Sequence, residues 1–161
     1  HTAYRRQRQM CIRDRAYLNG VAVSAKQPIQ TTYTDIVNDG IWTFKRYIPA
    51  GAVVNKADVT FVGQWEFRAN KYQASYRFES ETADQALPAA IAALTPSDSA
   101  RYVNGASVSA QQPSQTTYTD AVNDGTWIFK GYDSASAVVN KANVEFVGKW
   151  VFEANLSLIH I

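Results

Sequence analysis

The chain has 161 residues, of which 46% are hydrophobic, 19% charged and 12% aromatic, with 8 Gly, 5 Pro, one Cys and one Met. That composition excludes disordered, collagen-like and disulfide-dense classes, and no apolar run approaches the roughly 20 residues a helix needs to cross a bilayer. The formal charge of +2 points to an anionic partner only until the position of the basic residues is considered.

Both ends read as foreign to the fold. Residues 5–15, Arg5-Arg6-Gln7-Arg8-Gln9-Met10-Cys11-Ile12-Arg13-Asp14-Arg15, back-translate as an open frame through the adapter of transposase-based sequencing libraries. The last six, Leu156-Ser157-Leu158-Ile159-His160-Ile161, back-translate as the reverse complement of its transposon end. Unrelated termini rarely encode inverted copies of one oligonucleotide, so 1–15 and 156–161 are expected to be adapter-derived and are set apart from fold reasoning. Residues 16–155 then hold 11 basic and 13 acidic residues, a net charge of −2. This removes the electrostatic case for nucleic acid or an anionic membrane surface. His1, Met10, Cys11 and His160 lie in the same ends, so 16–155 contain no Cys, Met or His. Thiol nucleophiles, histidine bases and Cys/His metal sites are thereby excluded, and neither metal nor cofactor is expected.

The interior is a repeat. Residues 17–70 align with 102–155 without a gap at an offset of 85, with 37 of 54 positions identical. A period this long describes independently folding units rather than a solenoid. Residues 71–155 form the complete second repeat, and 16–70 the C-terminal part of a first one that lacks the counterpart of 71–101. No Pro/Gly/Ser linker separates them at Asn70-Lys71, so adjacent units are expected to hold a nearly fixed relation.

In the complete unit, Tyr72, Ala74, Tyr76 and Phe78 alternate with polar residues and predict a first strand over 72–79. Leu87-Pro88-Ala89-Ala90-Ile91-Ala92-Ala93-Leu94, stopped by Thr95-Pro96, predicts a helix of about two turns. Strands are expected at 106–110, 116–122 and 126–132, the last two joined through Asn123-Asp124-Gly125, residues suited to a turn with positive φ. A short strand at Val138-Val139 precedes a last one over 144–153. There Val144, Phe146, Gly148, Trp150 and Phe152 recur unchanged in the first copy as Val59, Phe61, Gly63, Trp65 and Phe67. Of the five alternating positions, four differ, at Thr60, Gln64, Glu66 and Arg68. One fixed buried face and one exposed face explain that pattern, and Gly148 and Gly63 predict a bulge or a close backbone approach. The fold class is α+β, a mostly antiparallel sheet with one short helix, repeated in tandem.

The Asp124-Gly125-Thr126-Trp127-Ile128-Phe129-Lys130-Gly131 strand and the final Phe146-Val147-Gly148-Lys149-Trp150-Val151-Phe152 strand follow a tyrosine-containing first strand and a Leu-Pro helix. In that order they resemble the SHIRT domain, a tandem repeat of Gram-positive surface proteins, across nearly all of 16–155. The first copy departs at Arg46, Ile48 and Pro49, where the second has Gly131, Asp133 and Ser134. The resemblance implies a secreted, cell-wall-anchored fibrous adhesin whose repeats form a stalk beneath a terminal binding domain. Its implied partners are neighbouring repeats of the same chain, with host glycan or protein met only through a domain outside this sequence.

The aromatic residues admit two readings. A small domain needs large aromatics to build a core, and Trp42, Phe44, Phe61, Trp65, Phe67, Trp127, Phe129, Phe146, Trp150 and Phe152 are assigned to it. In the alternative, a glycan- or protein-binding module acting by avidity, Trp42, Tyr47, Trp127 and Tyr132 would be exposed in both copies and touch ligand. Asp35, Asp39, Asp120 and Asp124 flank turns and are given local backbone roles rather than catalytic ones; no enzyme is expected. Glu79, Glu81 and Asp84 could offer oxygens to Ca²⁺ but lack a regular ligand spacing. Surface proteins of this class can carry Lys-Asn isopeptide bonds; for Lys141 with Asn143 or Asn155, and Lys56 with Asn70, no unmatched acid is evident and no crosslink is expected.

Overall fold

In a computed structural model, residues 15–161 are described; His1–Asp14, most of the segment read as adapter, lies outside them. The chain divides into two compact units, one reaching Ile36 and resuming over Gly40–Arg68, the other made of Val37–Asp39 with Ala69–Ile161.

The first unit holds β1 (Ala22–Ser24), β2 (Thr32–Asp35), β3 (Gly40–Ile48), β4 (Gly51–Val53) and β5 (Val62–Ala69). One sheet runs β2-β3-β5, and β1 pairs with β4. The β2–β3 hairpin sets Tyr33 opposite Trp42 and Asp35 opposite Gly40, with Asp39 at φ 52° in the turn. Asp and Asn tolerate this left-handed region better than other non-glycine residues, which is why the turn is written Asn38-Asp39-Gly40. Arg46 is not among the residues at positive φ, whereas its counterpart Gly131 is at φ 113°.

The second unit adds β6 (Lys71–Tyr72), β7 (Ala74–Ser80), α1 (Ala89–Ala92), β8 (Tyr102–Val103), β9 (Ser107–Ser109), β10 (Thr117–Asp120), β11 (Gly125–Tyr132), β12 (Ser136–Val138) and β13 (Val144–Ala154). The main sheet runs β10-β11-β13-β7; β9 with β12 and β6 with β8 form two small ladders. All pairs are antiparallel except β13 with β7, where Val144 to Trp150 lie beside Ala74 to Ser80. This is the α+β, mostly antiparallel domain that the sequence predicts.

Three expectations change in detail. The predicted first strand is two, broken at Gln73, whose N–H donates to Asn143 Oδ1 at 2.9 Å; β6 then serves β8 and β7 serves β13. The helix is one turn, not two. Pro88 starts it with no N–H to place and no side chain caps it, while Ile91, its buried residue, is fully covered. Gly148 makes a close approach without a bulge. A Cβ there would stand 2.7 Å from Phe78 Cδ1 and 2.8 Å from Phe129 Cε1. The register shift falls instead on β11, between Phe129 and Gly131, where the glycine adopts a φ that an L side chain resists.

Two buried clusters form the core of this unit. Phe78, Ile91, Trp127 and Trp150 are packed by Leu87, Leu94, Tyr118, Phe129, Tyr132 and Phe152. Ala74, Val108, Val139 and Phe146 form the other.

Candidate functional site

The aromatic positions and the turn carboxylates are where a ligand or a reaction would have to be placed. Trp127 is fully buried in a cluster with Phe78, Ile91 and Trp150, and its indole Nε1–H donates to Asp120 Oδ2 at 3.0 Å. Asp120 also accepts the Val122 and Asn123 backbone N–H groups at 3.1 and 3.0 Å and the Asn123 side-chain amide at 2.9 Å. These donors, the Asn123 amide foremost, hold its carboxyl below the usual range. A carboxylate so fully donated to is a turn lock. It has no free lone pair aimed at a cavity, as a general base requires.

The first unit repeats the device, with Trp42 Nε1–H donating to Asp35 Oδ2 at 3.1 Å. Paired equivalents recur elsewhere. The Lys56 and Lys141 N–H groups donate to Asn19 and Asn104 Oδ1, both at 2.8 Å. The amides of Asn70 and Asn155 donate to Asp39 and Asp124 Oδ1, both at 2.9 Å. In the second unit Asp39 accepts a further bond, from the Tyr72 hydroxyl at 2.9 Å. Desolvation, followed by that carboxylate, raises the Tyr72 pKa. The asparagines named for a crosslink thus hold hydrogen bonds to carboxylates, and Asn143 accepts from Gln73.

The residues of the ligand-binding alternative do not share one setting. Trp127 is sealed, and Tyr132 is half-buried with its hydroxyl donating to Gln111 O at 2.7 Å. Burial pushes the Tyr132 phenol up to about 12. Trp42 and Tyr47 are half-buried, their rings 5.2 Å from Phe67 and 4.9 Å from Phe44. The aromatics required to be exposed in both copies therefore do not include Trp127. Among those assigned to a core, Trp127, Trp150 and Phe146 are buried to 1% exposure or less and Phe44 to 8%. Phe61, Phe67, Phe129 and Phe152 are half-buried. Trp65 departs from its assignment and is 40% exposed, whereas Trp150 packs with Phe78 of β7 and Ile91 of α1. Gln30, Thr32, Tyr33, Trp42 and Trp65 line an open cavity of about 380 Å³ in the first unit.

Glu79 is ion-paired with both Lys149 and Arg77, and Arg77 also reaches Glu145 at 3.5 Å. Lys149, then Arg77, holds the Glu79 carboxyl below its usual range. Among the described residues no group of three His, Cys, Asp or Glu could hold a metal ion, and no helix is long and apolar enough to cross a membrane. This seam across β7 and β13 lay beyond sequence reasoning, since it needs the parallel register; only the charge changes at Gln64/Lys149 and Thr60/Glu145 hint at it.

A tandemly repeated β-rich domain whose polar clusters lock turns is a repeat module. The chain matches the SHIRT domain over residues 14–68 and 70–153 and belongs to that family. Streptococcal High Identity Repeats in Tandem (SHIRT) domains 3-4 from a cell surface protein are similar at 34% identity and a TM-score of 0.62, over 86% of this chain and 81% of that one. SHIRT domain 10 from a streptococcal cell surface protein shares 40% identity over 52% of this chain and 99% of that one, with a TM-score of 0.49. No curated protein matches.

Proposed function

We propose that the chain is a stalk segment, a spacer that adds reach to a wall-anchored surface adhesin. The observation that carries this reading is the join between copies. β5 ends at Ala69 and β6 begins at Lys71, so one residue, Asn70, separates them. Its N–H and side-chain amide donate to Asp39 O and Oδ1, both at 2.9 Å. One residue is too short to act as a flexible-coil linker between the copies. Compact-domain scaling gives an 85-residue unit a radius of gyration of about 12 Å, so each copy adds on the order of 30 Å.

The test is small-angle scattering on chains carrying one, two and three copies of residues 71–155. A maximum dimension that grows by a constant increment of about 30 Å or more per copy supports the spacer. Growth as the square root of copy number would sink it. Glycan-array binding that strengthens with copy number would instead favour the avidity module.

A further inference from the structure

Asparagine followed by glycine occurs twice in the chain, as Asn19-Gly20 and Asn104-Gly105. Both pairs are exposed, and both turn the chain at a glycine of positive φ, 87° at Gly20 and 86° at Gly105, a conformation that an L side chain resists. The asparagine before the glycine caps the turn from outside: Asn104 Oδ1 accepts the Lys141 N–H at 2.8 Å. The pair that shapes the turn is also chemically labile. With no side chain at Gly105, and open space where its Cβ would stand, nothing shields the Gly105 nitrogen from water or from the Asn104 carboxamide beside it.

We propose that Asn104-Gly105 is a self-modification site, deamidating through a succinimide when the β9–β12 end of the domain opens, with Asn19-Gly20 its equivalent in the first unit. In the open turn the Gly105 nitrogen gives its proton to water and attacks the Asn104 side-chain carbonyl carbon. A ring C–N bond forms, the carboxamide C–N bond breaks, and ammonia leaves after taking a proton back from water. A water molecule then adds to either ring carbonyl, leaving an aspartyl or isoaspartyl linkage at position 104. The step needs no cofactor and no oxidant. The isoaspartyl product lengthens the main chain by one carbon inside the turn, so the change is one-way. This property is separate from the spacer role.

The closed turn holds the reaction off with two hydrogen bonds. The Gly105 N–H donates to Val139 O at 2.7 Å, so the nucleophile keeps its proton, and the Lys141 N–H fixes the carbonyl group it would attack. The first unit has the same two bonds, Gly20 N–H to Val54 O at 2.7 Å and Lys56 N–H to Asn19 Oδ1 at 2.8 Å. In the second unit the turn is anchored by the β9–β12 ladder, where Ala137 lies opposite Val108. Val108 and Val139 behind it are 3% and 1% exposed and belong to one buried cluster. A two-stranded ladder outside the main sheet opens before the whole unit does. Conversion at position 104 therefore records local opening at that end of the domain.

The test incubates the full chain beside a synthetic peptide of residues 101–108 at neutral pH. Deamidation at position 104 is followed by mass spectrometry with fragment-ion localisation, and the isoaspartyl product by its enzymatic methylation. We expect product in both, forming at least about tenfold more slowly in the folded chain, because the ratio follows the fraction of time the turn is open. Val108→Ala removes buried methyl groups behind the ladder and should raise the rate in the chain about tenfold. A urea series kept below the unfolding transition should raise it too, with tryptophan emission unchanged. A folded chain that converts as fast as the peptide overturns the proposal. Conversion that rises only together with global unfolding, or that urea below the transition leaves unmoved, overturns it equally.

Discussion

Trp42 and Trp127 stand at the same place in the same hairpin and donate to equivalent aspartates, at 3.1 and 3.0 Å. Yet Trp127 is fully buried and Trp42 only half-buried, and their neighbours Trp65 and Trp150 differ more, at 40% and 0% exposure. Turn, register and local hydrogen bonds are therefore properties of the hairpin sequence itself, reproduced to within about a tenth of an ångström. Burial is a property of what crosses over it. The segment carrying β7 and α1 converts an aromatic sheet face into a core, and the two units isolate its contribution.

The sharpest way to break that contrast is to weaken the cover. Ile91→Ala removes the one fully buried side chain of α1 and is expected to destabilise the second unit by about 2–5 kcal/mol. Urea unfolding followed by tryptophan emission should show the later transition moving toward the earlier one, with the earlier one unmoved. A smaller effect separates the two glycines. At Gly148 a Cβ would meet Phe78 and Phe129 at 2.7 and 2.8 Å, and at Gly63 it would meet Phe44 at 3.1 Å. Gly148→Ala should cost about 1–3 kcal/mol by overpacking, and Gly63→Ala clearly less, as measured by the same two transitions.

The indoles give a finer contrast inside one unit. Both rings are fully buried, but Trp127 Nε1–H reaches Asp120, while Trp150 Nε1–H has no hydrogen-bond partner. Phenylalanine at 127 leaves the Asp120 carboxylate one donor short, whereas at 150 it removes an unsatisfied donor and offsets part of the lost packing. Thermal unfolding should place Trp127→Phe a few degrees below Trp150→Phe.

The fold was legible wherever a side chain reports on its own strand. The alternation from Val144 to Phe152, the Asn-Asp-Gly turns and the Leu-Pro helix start all mark elements found in the structure. What could not be read is the product of pairing between distant segments. Nothing near Gln73 announces that β6 and β7 serve different partners, and nothing near Gly131 separates a bulge there from one at Gly148. Trp65 and Trp150 sit in the same alternating apolar set, Phe61, Gly63 and Phe67 matching Phe146, Gly148 and Phe152, so an assignment to the core could not distinguish them. The ladder from Lys149 through Glu79 and Arg77 to Glu145 likewise needs a parallel register that no local pattern encodes.

Acid should separate the units least, and with a definite sign. Asp120, Asp98 and Glu79 are all held below their usual range, by the Asn123 amide foremost, the Tyr102 hydroxyl foremost and Lys149 foremost, respectively. In the first unit Glu66 is likewise held below its usual range, by Lys45 foremost. A carboxyl whose folded pKa is depressed contributes stability that is fully present above its unfolded value, near 4, and is lost as pH falls through the folded value. Stability of both units should thus be flat from about pH 7 to 5, and below about pH 4 the later transition should fall more steeply than the earlier one. Glu79→Gln should flatten part of that slope, and added salt should mimic it, because Glu79 and its partners are about a third or more exposed and screened. The part due to Asp120, 4% exposed and held by local donors, should persist in salt. Equal acid slopes for the two transitions would show that the carboxylates of the complete unit add nothing beyond what the hairpin already has.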